Sequence, residues 1–258
     1  MGILSGEVMT QNLPQGNDNL IYGKNAVFEL LRSDRPVDSV LCSLKKTDGA
    51  YHKLRVLCKE RNVVLKEVAP DKLNRLTDGV HQGVAAFTGD FIYTDLTASI
   101  EEQRRQGRRL FYVLCDGLED PHNLGAVIRT AECAGASGVI IGERRSVSVT
   151  GTVVKASAGA TAYLPVIRVK NLNRALEQLK QAGVFVYGAD MDGADFRKTD
   201  FSGDVCLVVG SEGKGLSRLV KEHCDTIVSL PMKGNVNSLN ASVAAGILIY
   251  AMEGCGRE

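Results

Sequence analysis

The chain predicts an α/β fold in two parts, and three observations carry that prediction. Short apolar runs of strand length alternate with helix-length runs from Leu20 onward in its 258 residues. In the second half the strands, among them FYVLCDG, GVIIG and DVCLVVG, are continuously apolar, as in a mainly parallel sheet covered on both faces. Loops rich in glycine and asparagine follow several of these strands, at the carboxyl ends where such sheets bind ligands.

Residues 1–19 read as a disordered tail, without the basic region and apolar core of a signal peptide. Residues 20–92 then form a compact α/β unit. YGKNAVFELLRSDRP is a helix closed by Pro36, VDSVLCS a strand, GAYHKLRVLCKERN an amphipathic helix, VVLKEVAP a strand, DKLNRLTD a short helix and GVAAFTG a third strand. Residues 93–107 turn polar and read as a linker that runs into an arginine cluster, Arg104, Arg105, Arg108 and Arg109. That cluster fits a solvated helix face, or else a contact to RNA phosphate. Residues 108–258 repeat strand and helix units. VTGTVVKASAGATAYL reads as helical, and a buried, nearly charge-free helix from Ala241 to Met252 closes the chain.

Charge is balanced, with 31 basic and 30 acidic residues, and residues 1–100 hold 12 of each. Bulk electrostatics therefore argue neither for nor against a nucleic-acid partner, for which a local patch suffices. Seven cysteines occur with no C-x-x-C pair and no histidine at ligand spacing. They are expected as reduced, mostly buried thiols of a cytoplasmic protein, with neither disulfides nor a metal site. No run reaches the roughly 18 apolar residues of a membrane span, so a soluble chain is expected.

Three segments can carry chemistry. In DGLEDPHNLGAVIRTAECAGA, Asn123 falls just before a helix, where an N-cap is its simplest use. Arg129 lies on that helix among apolar and small residues and needs water or a partner, for which Glu132 is in i+3 reach. His122 has no evident partner. In LVVGSEGKGLS three glycines permit a ligand to approach a strand-to-helix turn closely, but neither dinucleotide nor P-loop spacing is present. Glu212 would repel a phosphate in that turn, so an amide network or a cation suits it better. The third segment, PMKGNVNSLNASVAAGILIYAM, collects Gly234, Asn235, Asn237 and Asn240, which tolerate a left-handed backbone. Ser238 or Asn240 can cap the helix that follows. No hydrolase triad and no paired-carboxylate site can be assembled from these residues. A site of amides, one serine, one arginine and one carboxylate suits chemistry that relies on positioning.

In this order and spacing the three segments resemble the three motifs of the SpoU (TrmH) ribose 2′-O-methyltransferases of the SPOUT superfamily, from about Arg108 to the C-terminus. IYGKNAVFELL and DGVHQGVAAF further resemble the substrate-binding domain of the RlmB type, which methylates a guanosine ribose of large-subunit (23S-type) ribosomal RNA. The resemblance implies a C-terminal trefoil knot, against the rule that chains seldom thread loops. It also implies an N-terminal RNA-binding domain like ribosomal protein L30e, a homodimer whose active sites draw on both subunits, and S-adenosylmethionine as cofactor. Cofactor contacts fall on Gly210, Leu230 and Leu239, and catalytic positions on Asn123, Arg129, Glu212, Ser238 and Asn240. On this reading Arg129 grips an RNA phosphate and stabilises the emerging alkoxide, because guanidinium is effectively never deprotonated. Ser238 and Asn240 orient the ribose, and Glu212 holds the asparagines and the loop. Rival readings are a methyltransferase acting on transfer RNA or on a resistance-type ribosomal site, a non-catalytic ribosome-assembly factor, and a nucleotide-binding oxidoreductase. The missing dinucleotide fingerprint disfavours the last.

Overall fold

The computed structural model describes residues 19–33, 35–77, 79–235 and 238–254. The expected tail, apart from Asn19, lies outside them, as do Asn237 of the third segment and Cys255. The first unit runs β1 (Leu20–Tyr22), α1 (Lys24–Arg32), β2 (Val37–Cys42), α2 (Gly49–Glu60), β3 (Val64–Glu67), α3 (Pro70–Leu76) and β4 (Val84–Thr88). Its sheet has the order β1-β4-β2-β3, with β2 and β3 parallel and the other pairs antiparallel. Four strands replace the three expected. Strand β1 is only three residues long and runs through Gly23 into α1, so its two buried residues, Leu20 and Ile21, carry no readable alternation. Helix α1 stops at Ser33, short of Pro36.

The second unit follows as α4 (Leu96–Arg105), β5 (Phe111–Asp116), α5 (Pro121–Cys133), β6 (Gly138–Gly142), α6 (Gly151–Ala156), β7 (Val166–Val169), α7 (Leu172–Gln181), β8 (Phe185–Asp195), β9 (Val205–Gly210), α8 (Arg218–His223), β10 (Thr226–Ser229) and α9 (Ala241–Gly254). Strands β10-β8-β9-β5-β6-β7 form one parallel sheet. Alternation along β5 explains its two coats. Phe111, Val113 and Cys115 join a core with α5, α6 and α9, whereas Leu110, Tyr112 and Leu114 join one with α4, α7 and α8. The helix expected over residues 149–164 ends at Ala156, because Ala158 and Gly159 adopt positive φ and a short 3-10 turn follows. Of the described cysteines, Cys42, Cys58, Cys115 and Cys206 are buried, Cys224 is half-buried and Cys133 exposed.

The stretch expected as a linker is part of the second unit. Asp95 caps α4, Leu96 and Ser99 are buried, Ser99 hydrogen-bonds the Tyr112 hydroxyl at 2.9 Å, and Thr94 bridges to Ile167. Only the outer face of α4 is polar, and that face dominates its composition. Three of the four clustered arginines have partners within the protein. Arg104 pairs with Asp204 at 2.6 Å, Arg105 with Glu102, and Arg109 donates to the carbonyls of Phe201, Gly203 and Met252.

The two units share one apolar core in which Val27 and Leu31 of α1 belong with Val127 of α5 and Val153 of α6. At the seam Gly151 lies against β1: a Cβ there would stand 2.0 Å from the Leu20 carbonyl oxygen. Glu29 accepts from the Tyr163 hydroxyl, and Lys155 lies over the Tyr22 ring at 4.3 Å. Gly151→Ala therefore forces the units apart and is expected to destabilise the chain by about 1–3 kcal/mol. Urea unfolding followed at a β1 reporter measures it; an unchanged midpoint would show that the seam yields freely.

Candidate active site

The three segments singled out in the sequence meet at the carboxyl ends of β5 and β9. Asp120, not Asn123, caps α5, accepting from the His122 amide, with Pro121 at the first helical position. Asn123 thus falls inside the first turn and is almost fully buried. Its side chain is free to face the glycine loop, where its amide donates to Glu212 Oε1 at 3.1 Å. His122 is exposed.

Residues 211–215 form a closed turn, with Ser211 and Gly215 exchanging both backbone hydrogen bonds. Gly213 and Gly215 adopt positive φ. Gly210 is required by proximity instead, since a Cβ on it would lie 2.2 Å from the Gly215 carbonyl carbon. Asp116, at the end of β5, accepts from the Ser217 amide at 2.7 Å and ties the far side of the loop to the sheet.

The third segment does not use its glycine and asparagines as expected. Gly234, Asn235 and Asn240 are not among the positive-φ residues. Asn240 works through hydrogen bonds instead. Its Oδ1 accepts from the backbone N–H groups of Ser242 at 3.0 Å and Val243 at 3.3 Å, which makes it, not Ser238, the cap of α9. Its amide donates to Asn123 Oδ1 at 3.0 Å and to Glu212 Oε1. One carboxylate oxygen therefore accepts from two asparagines separated by 117 residues. The carboxylate expected to prefer amides over phosphate has them.

Two cavities flank this network. One, of about 510 Å³, is lined by Gly210, Leu230 and Leu239, the expected cofactor contacts, together with Glu212, Ser238 and Asn240. The other, of about 1120 Å³, has Asn123 and Glu212 on its wall. Arg129 lines neither. Six residues along α5 from Asn123 shift it by about 9 Å and turn it by about 240°, and it stands exposed. Among the described residues no ion pair joins it to Glu132, so local support of the helix does not explain it. Burial pushes the thiol of Cys115, beside the site on β5, up to about 12, so it supplies no thiolate at neutral pH. Asp190, Met191, Lys214 and Met232 also line the smaller cavity and were not singled out in the sequence. Asp190 could have been found from its place near the end of the β8 run, where the strand-end rule points.

Asn240→Asp retains a capping oxygen but sets a second carboxylate facing Glu212. Two carboxylates in contact resist joint ionisation, so one of the pair titrates above the ordinary range in the folded state. A raised folded-state pKa contributes stability below it that is lost as pH rises through it. The variant is expected to melt about 2–4 °C below the wild type at pH 8 for a cost of ~1 kcal/mol, with the gap closing toward pH 5. Thermal melts across pH measure this; a gap independent of pH would assign the loss to the missing amide alone.

The model of the SpoU rRNA methylase family matches residues 110–250, and that of the RNA 2′-O ribose methyltransferase substrate-binding domain matches residues 20–93. The chain is 44% identical over 231 residues to YacO of Bacillus subtilis (strain 168), which is assigned to the TrmH family of tRNA/rRNA methyltransferases; the match covers 89% of this chain and 93% of YacO. A Staphylococcus aureus (strain COL) protein with the same assignment is 40% identical over 90% of this chain and 94% of its own length. Among solved structures, the chain is similar to the SpoU methyltransferase AviRb from Streptomyces viridochromogenes in complex with AdoMet, with a TM-score of 0.75, 27% identity, and coverage of 91% of this chain and 89% of that one. The two matching family models and the similarity to YacO over nine-tenths of the chain place this chain in the SpoU rRNA methylase family, with an N-terminal substrate-binding domain.

Proposed function

We propose that the chain transfers the methyl group of S-adenosylmethionine to a ribose 2′-hydroxyl of RNA, and that the target is a guanosine of large-subunit ribosomal RNA. The observation that carries this reading is the Asn123–Glu212–Asn240 network standing between the two cavities. The 510 Å³ cavity is of ordinary size for a cofactor, and the glycine turn 210–215 contributes main chain to its wall. Gly210, Leu230 and Leu239 would hold the methyl donor there, in the last pass of a trefoil knot. When bound, that group supplies a sulfonium-activated methyl.

The residues of the chain then have to place and relieve the hydroxyl. Ser238 and Asn240 at the cavity rim orient the ribose, so that its 2′-oxygen lies in line with the reacting carbon. Glu212 keeps both asparagines aimed at the junction. The hydroxyl proton would leave to phosphate or water as its oxygen takes the methyl group. Arg129 grips the adjacent phosphate and stabilises the emerging alkoxide.

Arg129 lines neither cavity of its own chain, and in this reading a second copy brings it in. Val243, Ile247 and Tyr250 support this, since they recur at i, i+4 and i+7 and leave an exposed apolar stripe on α9, which packs against α5. A homodimer that covers this stripe would carry Arg129 of one subunit to the network of the other. Ile247→Asp is expected to give a folded monomer by sedimentation, with methyl transfer reduced at least about a hundredfold. A fully active monomer would overturn the shared site.

The substrate is tested by nucleoside mass spectrometry of ribosomal and transfer RNA from a deletion strain. Loss of 2′-O-methylguanosine from large-subunit RNA alone is expected, whereas unchanged ribosomal RNA with altered transfer RNA would replace this substrate by the rival one. Arg129→Lys should lower turnover by about ten- to a hundredfold, because an ammonium cannot make the bidentate phosphate contact; near-normal turnover would remove that role. The same variants exclude a non-catalytic assembly factor if the wild type turns over.

A further inference from the structure

The larger cavity has a character that the reaction does not require. It opens at the carboxyl ends of β5, β6 and β7 and shares Ser211, Glu212, Lys214 and Gly215 with the cofactor cavity, so anything bound in it lies beside the amide network. Its volume of about 1120 Å³ exceeds that of an ordinary small-molecule pocket, so it has room for more than one nucleotide.

The cations and carboxylates around it are used differently. Arg144 and Arg145 on the loop after β6, Lys170 at the end of β7, and Lys214 in the glycine turn make no ion pair or side-chain hydrogen bond among the described residues. Three of the carboxylates, by contrast, are already engaged: Asp116 by the Ser217 amide, Asp120 by the His122 amide and Glu212 by the two asparagines. Glu119 is a fourth carboxylate of the lining; all four lie at the end of β5 or on the loops after β5 and β9, whereas the lining residues at the ends of β6 and β7 include Arg144, Arg145 and Lys170 and no carboxylate, so the β6–β7 side of the cleft is the cationic one. Among the described residues no aromatic or histidine side chain lines it, so these offer no platform on which a base could stack. Arg145, moreover, is held at φ +56, an uncommon backbone state for a residue of its size, with its carbonyl facing Gly117 on the opposite wall.

We infer that this cleft is a phosphate track: Arg144, Arg145 and Lys170 grip the ribose-phosphate backbone flanking the target nucleotide and read no base. The ribose-phosphate backbone of RNA, whose recognition needs cationic side chains and no stacking surface, is the occupant that fits this side of the cleft. The cleft then supplies affinity and register, and base discrimination falls to the substrate-binding domain and to the shape of the RNA. The inference rests on the RNA methylation reading and deepens it.

The test compares full-length wild type with the Arg144→Ala/Arg145→Ala/Lys170→Ala variant, and with Lys198→Ala as a control for loss of an exposed cation elsewhere. The variant is expected to raise KM for RNA about tenfold or more with kcat little changed. Each lost phosphate contact should flatten the dependence of log KM on log salt by about 0.7. Calorimetric affinity for S-adenosylmethionine should be unaltered, and the defect should be equal for RNAs of different flanking sequence. Unchanged KM and salt slope would return these residues to an ordinary solvated surface. A defect confined to one flanking sequence would mean that the cleft reads bases, and weakened cofactor binding would mean that the loops only support the neighbouring cavity; either overturns the track. Should the wild type methylate no RNA, the functional reading fails by itself. The track is then decided by anisotropy titration with a short single-stranded RNA, which the variant must bind more weakly and with a flatter salt slope.

Discussion

A single carboxylate oxygen, Oε1 of Glu212, accepts from the side-chain amides of both Asn123 and Asn240, and the site is assembled around that convergence. Asn123 comes from the first turn of α5, Glu212 from the turn after β9, and Asn240 from the entrance of α9. Each hydrogen bond is worth on the order of 1 kcal/mol at this degree of exposure. Their combined importance is geometric. Asn240 spends its oxygen on capping α9 and its nitrogen on the network, so the direction of the last helix and the position of the glycine turn are set by one side chain. Gly210 adds a second constraint, because the turn can fold back on β9 only where there is no Cβ. The wall between the two cavities is consequently held from both ends.

The rest of the chain keeps that wall at a fixed distance from the substrate-binding domain. The two units are not tethered by a loose segment: α4 is packed into the second unit, and β1 and α1 share a core with α5 and α6. Arginine side chains that might have been given to RNA are used for this purpose. Arg109 joins the end of α9 to residues 201–203, and Arg104 joins α4 to Asp204 and the Ala182 carbonyl. Cationic side chains without an ion pair among the described residues are found on the β6–β7 side of the larger cleft instead, away from the carboxylates on the loops after β5 and β9. Overall neutrality and a local anion-binding surface are thereby compatible.

Asn123 and Arg129 show how one helix can present two candidate residues to different surroundings. Six residues apart, they face different sides of α5, one buried in the network and the other exposed. A site confined to one chain would leave the arginine idle and the stripe wet. The homodimer proposed above would use both.

The sequence by itself determined the alternation of elements, the apolar strands of the parallel sheet, and the three polar segments with their candidate residues, because these are local properties of spacing and residue type. Gly210, Leu230 and Leu239 were legible through family motifs and do line one cavity, with Glu212, Ser238 and Asn240 beside them. Tertiary structure decided what depends on partners distant in the chain. Whether Asn123 caps a helix or bonds Glu212 turns on Asp120 taking the cap. Whether residues 93–107 link or pack turns on Tyr112 and Ile167 receiving them, which the polar outer face of α4 conceals. Gly151 gives no sign in sequence that Leu20 will rest on it. Local pattern reports which face of an element is apolar; it carries no record of what that face will meet, and the meeting is where the free energy of these choices resides.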